Sequence, residues 1–309
     1  MSAPAAADEG AHPHDAEPLW SESWYFDFVD PEQQVGGWIR LGLIPNEQRC
    51  WIQALLCGPG MPTVALSDFD APLPADPHRL VTDQIRVAHT ATAPLQSYSV
   101  TVRGAGQAYD QPQALLQGKP GRPVEAEFDL VWTTRGTPYQ YPIAARYEIP
   151  CVVSGTVVAD GRTVHLEQAP GQRDHSWGTR DWWGMEWVWS ALHLDDGTSL
   201  HGLDLRLPGI DPIGVGYVQH DGELTELTAV TAREVFGDNA LPISTELSLE
   251  PGGLVVSAAI VGHAPVRLVA ADGRVSQFPR AWATVTTGDG RHGTGWLEWN
   301  RNSSLEERQ

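Results

Sequence analysis

The stretch VSGTVVADGRTVHLEQ, residues 153–168, contains the pattern that decides the fold. Two short runs rich in β-branched residues flank an Asp-Gly pair. Such a pair is typical of a tight hairpin turn, because both central residues of that turn need a positive φ angle. The stretch therefore predicts two antiparallel strands joined at Asp160 and Gly161.

The same pattern recurs along the chain. Asp-Gly or Gly-Gly pairs at 196–197, 221–222, 252–253, 272–273 and 289–290 separate further short β-type runs. Turn signals at roughly ten-residue spacing favour a sandwich or barrel. Helical patterns are few: residues 110–118 form the best candidate, and residues 227–237 fit either a strand or a short helix. The sequence predicts an all-β protein.

The length predicts two domains. A barrel of eight to ten strands takes about 140–170 residues, and the chain has 309. Residues 147–161 restart a meander, so we expect an N-terminal barrel over 19–160 and a C-terminal barrel over 161–302. Their composition predicts disordered tails over the first and last segments, residues 1–18 and 303–309.

Charge and composition exclude several functions. The net charge is −19 and Lys119 is the only lysine, so the chain lacks the basic face that nucleic-acid binding requires. No run is long and apolar enough to span a membrane. The three cysteines Cys50, Cys57 and Cys151 show no metal-type spacing, and the N-terminus has no apolar signal region. We expect a cytoplasmic protein with reduced cysteines; its oligomeric state stays open.

Directly after the hairpin comes the chemically densest segment, GQRDHSWGTRDWWGMEWVW, residues 171–189. It combines acids, a histidine, arginines and five tryptophans. Ionisable groups beside large apolar ones are costly to bury unless they are paired. This segment is therefore the candidate site.

Asp174 and His175 are the first candidates for chemistry. Neighbours on a strand point to opposite faces, so these two share a site only if the backbone bends, and Gly171 and Gly178 make a bend credible. An aspartate among tryptophans is a candidate general acid, because desolvation favours its neutral form. Alternatively, Asp174 pairs with Arg173 or with Arg180 and only fixes the loop.

The other candidates carry the same two interpretations. Asp181 is a second possible acid or a partner of Arg180, and the tryptophans either form core or line a site where their π faces stabilise a cation. The proposed substrate-contacting residues are Trp177, Arg180, Trp182, Trp183, Trp187, His193 and His201. A strand histidine is more often structural. His175, His193 and His201 with an aspartate could form a metal site, but their spacing is not diagnostic, so we expect neither metal nor cofactor.

The string DHSWG…RDW, with YEIPCVVSGTV before it and WVWSALHLDDGTSLHG after it, resembles a bacterial branch of the carotenoid 1,2-hydratase (hydroxyneurosporene synthase) family. The likeness extends over about residues 20–300. It implies two lipocalin-like (calycin) antiparallel β-barrels packed together with a hydrophobic cavity. It also implies addition of water to an isoprenoid alkene, or polyene cyclisation, without a cofactor. The motif's aspartate, histidine and tryptophan fall on Asp174, His175 and Trp177.

Two functional hypotheses follow. The first is a hydratase or cyclase in which Asp174 or Asp181 protonates an isoprenoid-like alkene, tryptophans shelter the tertiary cation and His175 handles water. The second is a non-catalytic protein that binds a hydrophobic metabolite; a vestigial site in a structural protein is weaker. Both expect a hydrophobic small molecule as partner.

Overall fold

The computed structural model describes residues 3–270 and 272–302. The predicted tail over residues 303–309 lies outside them. Within these residues the chain is all-β, as predicted, with two sheets that each curl into a barrel-like shape. The helical segments are short: 3-10 turns at Ala6–Glu9 and Pro45–Glu47, and one helical turn, α1, at Gln113–Leu116. No helix of this part of the chain is long and apolar enough to cross a membrane.

The first sheet contains eleven antiparallel strands. They are β1 (Trp20–Asp30), β2 (Val35–Ile44), β3 (Arg49–Gly58), β4 (Met61–Pro72), β5 (Arg79–Val81), β6 (Ile85–Ala93), β7 (Ser97–Tyr109), β8 (Arg122–Thr134), β9 (Tyr139–Gln140), β10 (Arg146–Ala159) and β11 (Arg162–Thr179). Their order is β4-β3-β2-β1-β11-β10-β8-β7-β6-β5, with β9 beside β10. β4 also pairs with β7, which closes the sheet on itself.

The second sheet also has eleven strands. They are β12 (Glu186–Leu194), β13 (Ser199–Arg206), β14 (Ile213–His220), β15 (Glu223–Glu226), β16 (Ala229–Phe236), β17 (Pro242–Glu250), β18 (Leu254–His263), β19 (Val266–Val269), β20 (Val275–Phe278), β21 (Arg280–Thr287) and β22 (His292–Asn302). The order is β15-β14-β13-β12-β22-β21-β18-β17-β16, while β20 joins β19 to β22. Its core gathers around the fully buried Leu297 and Trp299. Residues 229–236, left open between strand and helix, form a strand.

The boundary between the two compact units differs from the expected one at 160/161. Among the described residues, the first unit extends through Arg180 and the second begins at Asp181. Two short segments, Cys57–Thr63 and Tyr109–Pro120, also belong to the second unit. The reason is strand pairing: β11 runs without interruption from Arg162 to Thr179 and pairs with both β1 and β10, so it belongs to the first barrel.

The N-terminal segment departs from the predicted disordered tail over residues 1–18. Residues 5–17, which we call the N-terminal strap, lie against the first barrel. Glu9 is 4% exposed and pairs with a buried arginine, and the histidine at position 12 bonds a buried glutamate. Composition failed as a guide here because the polar groups of the strap find specific buried partners.

Candidate functional site

β1 and β11 build the inner wall of the first barrel. Their antiparallel register sets Trp24 opposite His175 and Glu22 opposite Trp177. On the other side of β11, Tyr147 of β10 lies opposite His175. Because side chains alternate along a strand, Glu22 and Trp24 on β1 share a face with His175 and Trp177 on β11. This face forms the candidate site.

A histidine–glutamate pair lies at the centre of the site. His175 Nε2 is 2.9 Å from Glu22 Oε1, and the two residues are 0% and 1% exposed. The indole of Trp24 stacks on the imidazole, with ring centroids 4.4 Å apart and an angle of 20°. The Tyr147 hydroxyl lies 3.5 Å from His175 Nδ1. A polar pair is thus buried between aromatic faces.

The N-terminal strap contacts both members of the His175–Glu22 pair. His175 Nδ1 is 2.7 Å from the main-chain oxygen of Asp8, and His12 Nδ1 is 2.7 Å from Glu22 Oε1. The main-chain N–H of His12 also donates to the Glu22 carboxylate. The His12 ring stacks on Trp177, with centroids 3.7 Å apart and nearly parallel planes. The strap therefore contributes a second histidine to the same carboxylate.

A buried ion pair fastens the strap beside the site. Arg173 donates two hydrogen bonds to the Glu9 carboxylate, at 2.7 and 3.1 Å. Glu9 also accepts a bond from the main-chain N–H of Leu95, and the Arg173 guanidinium lies over the Tyr98 ring. Burial by itself lowers the pKa of Arg173, but its charged and hydrogen-bonding neighbours, Glu9 among them, outweigh this, so the pKa lies above its usual value.

The acceptors around His175 decide which of its ring nitrogens donates. Burial raises the pKa of Glu22, but the bonds from His12 and His175 outweigh it, so this pKa lies below its usual value. An ionised carboxylate only accepts, and a carbonyl oxygen only accepts. His175 therefore donates from Nδ1 to the Asp8 oxygen, and a proton is shared between its Nε2 and Glu22.

Other inner-face groups surround this pair. His89 accepts a bond from the Tyr98 hydroxyl at 2.8 Å and donates to the carbonyl of Pro77 at 3.0 Å. Trp24 lies between His89 and His175, and its buried Nε1 has no hydrogen-bond partner among the described residues. A buried N–H without a partner is uncommon and calls for a hydrogen-bond acceptor such as a water or a ligand oxygen.

Asp174 lies on the opposite face of β11 from His175. Its Oδ2 is 2.8 Å from Arg146, which also pairs with the buried Glu148. The bend that would bring Asp174 and His175 into one site is absent, since β11 is continuous there. Asp174 thus makes an ion pair, which is the alternative to a general acid given above, but its partner is Arg146 and not Arg173 or Arg180. Arg180 lies nearby, and burial together with the charge of Arg146 lowers its pKa to about 10.

The remaining predicted residues belong to the second unit. Asp181 accepts a bond from the main-chain N–H of Trp183 and lies 3.7 Å from Arg274, so it stabilises a turn. Trp182 and Trp187 pack on each other and on Phe278. The Trp183 ring lies under the Arg274 guanidinium, and the Trp187 N–H donates to Glu298.

The three predicted histidines do not all lie in the same unit. His193 lies on β12, and His201 on β13 is fully buried with Nδ1 2.8 Å from the carbonyl of Ser190. Both belong to the second unit, whereas His175 belongs to the first. The structure instead brings His175 together with His12 and Glu22, whose ligand-type atoms all lie within 4.8 Å of one another. These three are the residues of the described chain that could hold a metal.

Sequence reasoning missed Glu22, Trp24, Tyr147 and the strap. One signal was available for Glu22: β1 reads WSESWYFDF over residues 20–28, and Glu22 occupies an apolar position of its alternating pattern. A carboxylate on such a face needs a buried partner. His12 gave a weaker signal, as one of two histidines in an otherwise small and acidic segment.

Comparisons with known proteins place the fold. A family model described as "Domain of unknown function (DUF7064)" matches residues 5–303. Among curated proteins, none matches the sequence significantly.

Solved structures share the architecture at low sequence identity. A protein provisionally called AttH, from Nitrosomonas europaea, has a TM-score of 0.65 and 14% identity, with 95% of each chain covered. Kievitone hydratase from Nectria haematococca has a TM-score of 0.58 and 10% identity, with 92% of this chain and 89% of that one covered. CghA has a TM-score of 0.57 and 11% identity, with 92% and 88% covered. At these identities the likeness shows the fold alone.

Proposed function

Because this chain belongs to the DUF7064 family, whose description names no activity, we propose its function from its own residues: a hydratase or cyclase that acts on an isoprenoid-like alkene. The reacting centre of this proposal is the inner wall of the first barrel. The observation that carries it is the His175–Glu22 pair, buried at 2.9 Å and covered by the Trp24 indole.

The geometry supports acid catalysis. Protonation of an alkene needs a proton held close to an apolar substrate, and the hydrogen-bonded imidazole of His175 holds one between Nε2 and Glu22. The cation formed next needs electron-rich faces, and Trp24 and Trp177 both present indoles beside this centre. The free N–H of Trp24 would bind a substrate oxygen.

The proton donor assigned here is His175 with Glu22, in place of Asp174. The sequence favoured Asp174 because of its tryptophan-rich surroundings, but its carboxylate pairs with Arg146, and an adjacent guanidinium favours the ionised form. An ionised carboxylate cannot donate a proton. We therefore assign the proton-holding role to His175 with Glu22.

Two lines of likeness support the reaction class. The sequence resembles the carotenoid hydratase family, and the fold is shared with a kievitone hydratase. The substrate class remains part of the proposal, since fold and reaction are separable.

The test is conversion of prenylated aromatic and linear terpenoid alkenes by the purified full chain, followed by mass spectrometry in normal and heavy-oxygen water. Hydration adds one water and its label, whereas cyclisation leaves the mass unchanged. Glu22→Gln and His175→Asn should each lower the rate by about 100-fold or more, the range of a lost acid–base group. Glu167→Gln, an exposed carboxylate change on the same strand, should keep the rate.

Asp174→Asn separates the two assignments of the acid. Loss of turnover in a folded Asp174→Asn protein, with turnover kept in Glu22→Gln, would contradict the proposal. A ligand that co-purifies with the chain and is bound without change of mass would favour the non-catalytic alternative.

A further inference from the structure

The geometry points to a binding site for a divalent transition metal, with zinc as the best match, formed by His12, Glu22 and His175. One ligand comes from the N-terminal strap, one from β1 and one from β11. The inference does not depend on the proposed reaction, but it concerns the same Glu22 and His175 atoms, so a metal and the shared proton are alternative occupants of this centre.

The donor set fits zinc. Two imidazole nitrogens and one carboxylate oxygen are the protein ligands of many zinc sites that leave a fourth position open. Tetrahedral zinc with bonds of about 2.0–2.1 Å holds its ligand atoms about 3.3 Å apart. Here His12 Nδ1 and His175 Nε2 lie 2.7 and 2.9 Å from Glu22 Oε1, and all three ligand atoms lie within 4.8 Å of one another, so binding would require these atoms to move to tetrahedral spacing.

The outer nitrogen of His175 carries the stronger argument. A histidine that binds a metal through one nitrogen usually donates its other N–H to a carbonyl or carboxylate, which fixes the ring and its tautomer. His175 points Nδ1 at the main-chain oxygen of Asp8, at 2.7 Å. His12 Nε2 lies 3.7 Å from the carboxylate of the same Asp8, which is beyond hydrogen-bond distance. Asp8 thus supplies the outer partner of His175.

Charge and burial agree with this assignment. Glu22 and His175 are almost fully buried, and His12 retains only 18% side-chain exposure. With zinc on Nε2, His175 would keep its outer N–H on the main-chain oxygen of Asp8, and Glu22 would be a ligand.

The site would have two consequences. The metal would fasten the strap to the barrel wall, because His12 is the strap's ligand. It would also replace the proton between His175 and Glu22, so a water on the open position would become the acid nearest the indoles. Zinc lowers the pKa of a bound water to about 7.

The test uses zinc alone with the chelator-treated full chain, and no substrate. Isothermal titration and metal analysis should give one zinc per chain with a micromolar or lower dissociation constant. His12→Ala should weaken binding by about 100-fold or more, since it removes a ligand. His14→Ala is the matched control: it is exposed, lies two residues away on the same strap and should bind zinc unchanged.

Amide exchange gives a second readout, and it needs no substitution at the buried Glu22 or His175. Zinc should slow amide exchange over residues 5–14 of the wild type and of His14→Ala, but not of His12→Ala. Absence of zinc binding at micromolar concentrations, or equal affinity in His12→Ala and His14→Ala, would overturn the proposal. Either result leaves the product assay of the proposed reaction unaffected, so the two proposals fail separately.

Discussion

At the scale of single residues, loss of the Glu9–Arg173 pair should strongly lower the stability of the fold. Both side chains are buried, at 4% and 2% exposure. Glu9→Ala leaves the Arg173 guanidinium buried without this partner, and breaking a buried pair in this way costs about 3–5 kcal/mol of unfolding free energy. Urea unfolding followed by tryptophan fluorescence measures the loss.

The control for Glu9→Ala is Glu127→Ala, which breaks the exposed cross-strand pair of Glu127 with Arg103. Exposed pairs contribute less than about 1 kcal/mol, so this variant should stay close to wild type. A Glu9→Ala effect as small as that of Glu127→Ala would restore the expectation of a disordered N-terminal tail.

Single residues also show where sequence reasoning reaches its limit. His175 and Trp177 could be selected because they lie in one dense segment, and the structure places both on one wall. Glu22 could not be paired with His175, because the two are 153 positions apart and only the register of β1 with β11 joins them. Local patterns indicate residue types, whereas strand register decides which of them meet.

At the scale of elements, strands β6 and β7 contain a buried pH-sensitive contact. Burial, and next the charge of His78, lower the pKa of His89 to about 3. In the unfolded chain the histidine pKa is near 6.5. Between about pH 6.5 and pH 3 the unfolded chain therefore binds a proton at His89 and the folded chain does not. Stability therefore falls as the pH drops below about 6.5, by up to about 1.4 kcal/mol per unit from this group.

Unfolding at several pH values between 7 and about 5 checks this contact. His89→Gln should remove that part of the slope, while His165→Gln, at an exposed position of β11, should retain it. An unchanged slope in His89→Gln would show that His89 titrates normally in the folded chain.

Elements were the level best predicted from sequence. The Asp160–Gly161 turn is confirmed: both residues have positive φ, at 50° and 76°, and β10 and β11 pair on either side of it. The expected irregularity lies just before Gly171 and not between Asp174 and His175: the β10–β11 register shifts between Leu166 and Ala169, where Gln168 has a positive φ of 56°. A Cβ at Gly171 would lie 2.3 Å from the main-chain oxygen of Asp27, so the glycine allows β1 to approach β11 closely. The sequence shows the glycine but not which backbone passes it.

At the scale of the whole molecule, one hydrophobic core cluster consists of residues of the second unit, and this makes a prediction about cooperativity. Leu297 is a fully buried member of this core cluster. Leu297→Ala should cost about 2–5 kcal/mol, from lost burial and the space left behind. No residue of β1, β10 or β11 belongs to this core. Amide exchange in Leu297→Ala should therefore accelerate in β12, β21 and β22, and it should stay slow in β1, β10 and β11.

Hydrogen exchange with mass spectrometry measures both regions in one experiment. Val269→Ala is the matched control, since Val269 is a 47% exposed aliphatic residue of the same unit and its truncation should change stability by less than about 0.5 kcal/mol. Equal acceleration in β11 and β22 would mean that the chain unfolds as one cooperative unit. Slow exchange confined to β1, β10 and β11 would instead show that the wall bearing Glu22 and His175 keeps its geometry when the second core is weakened.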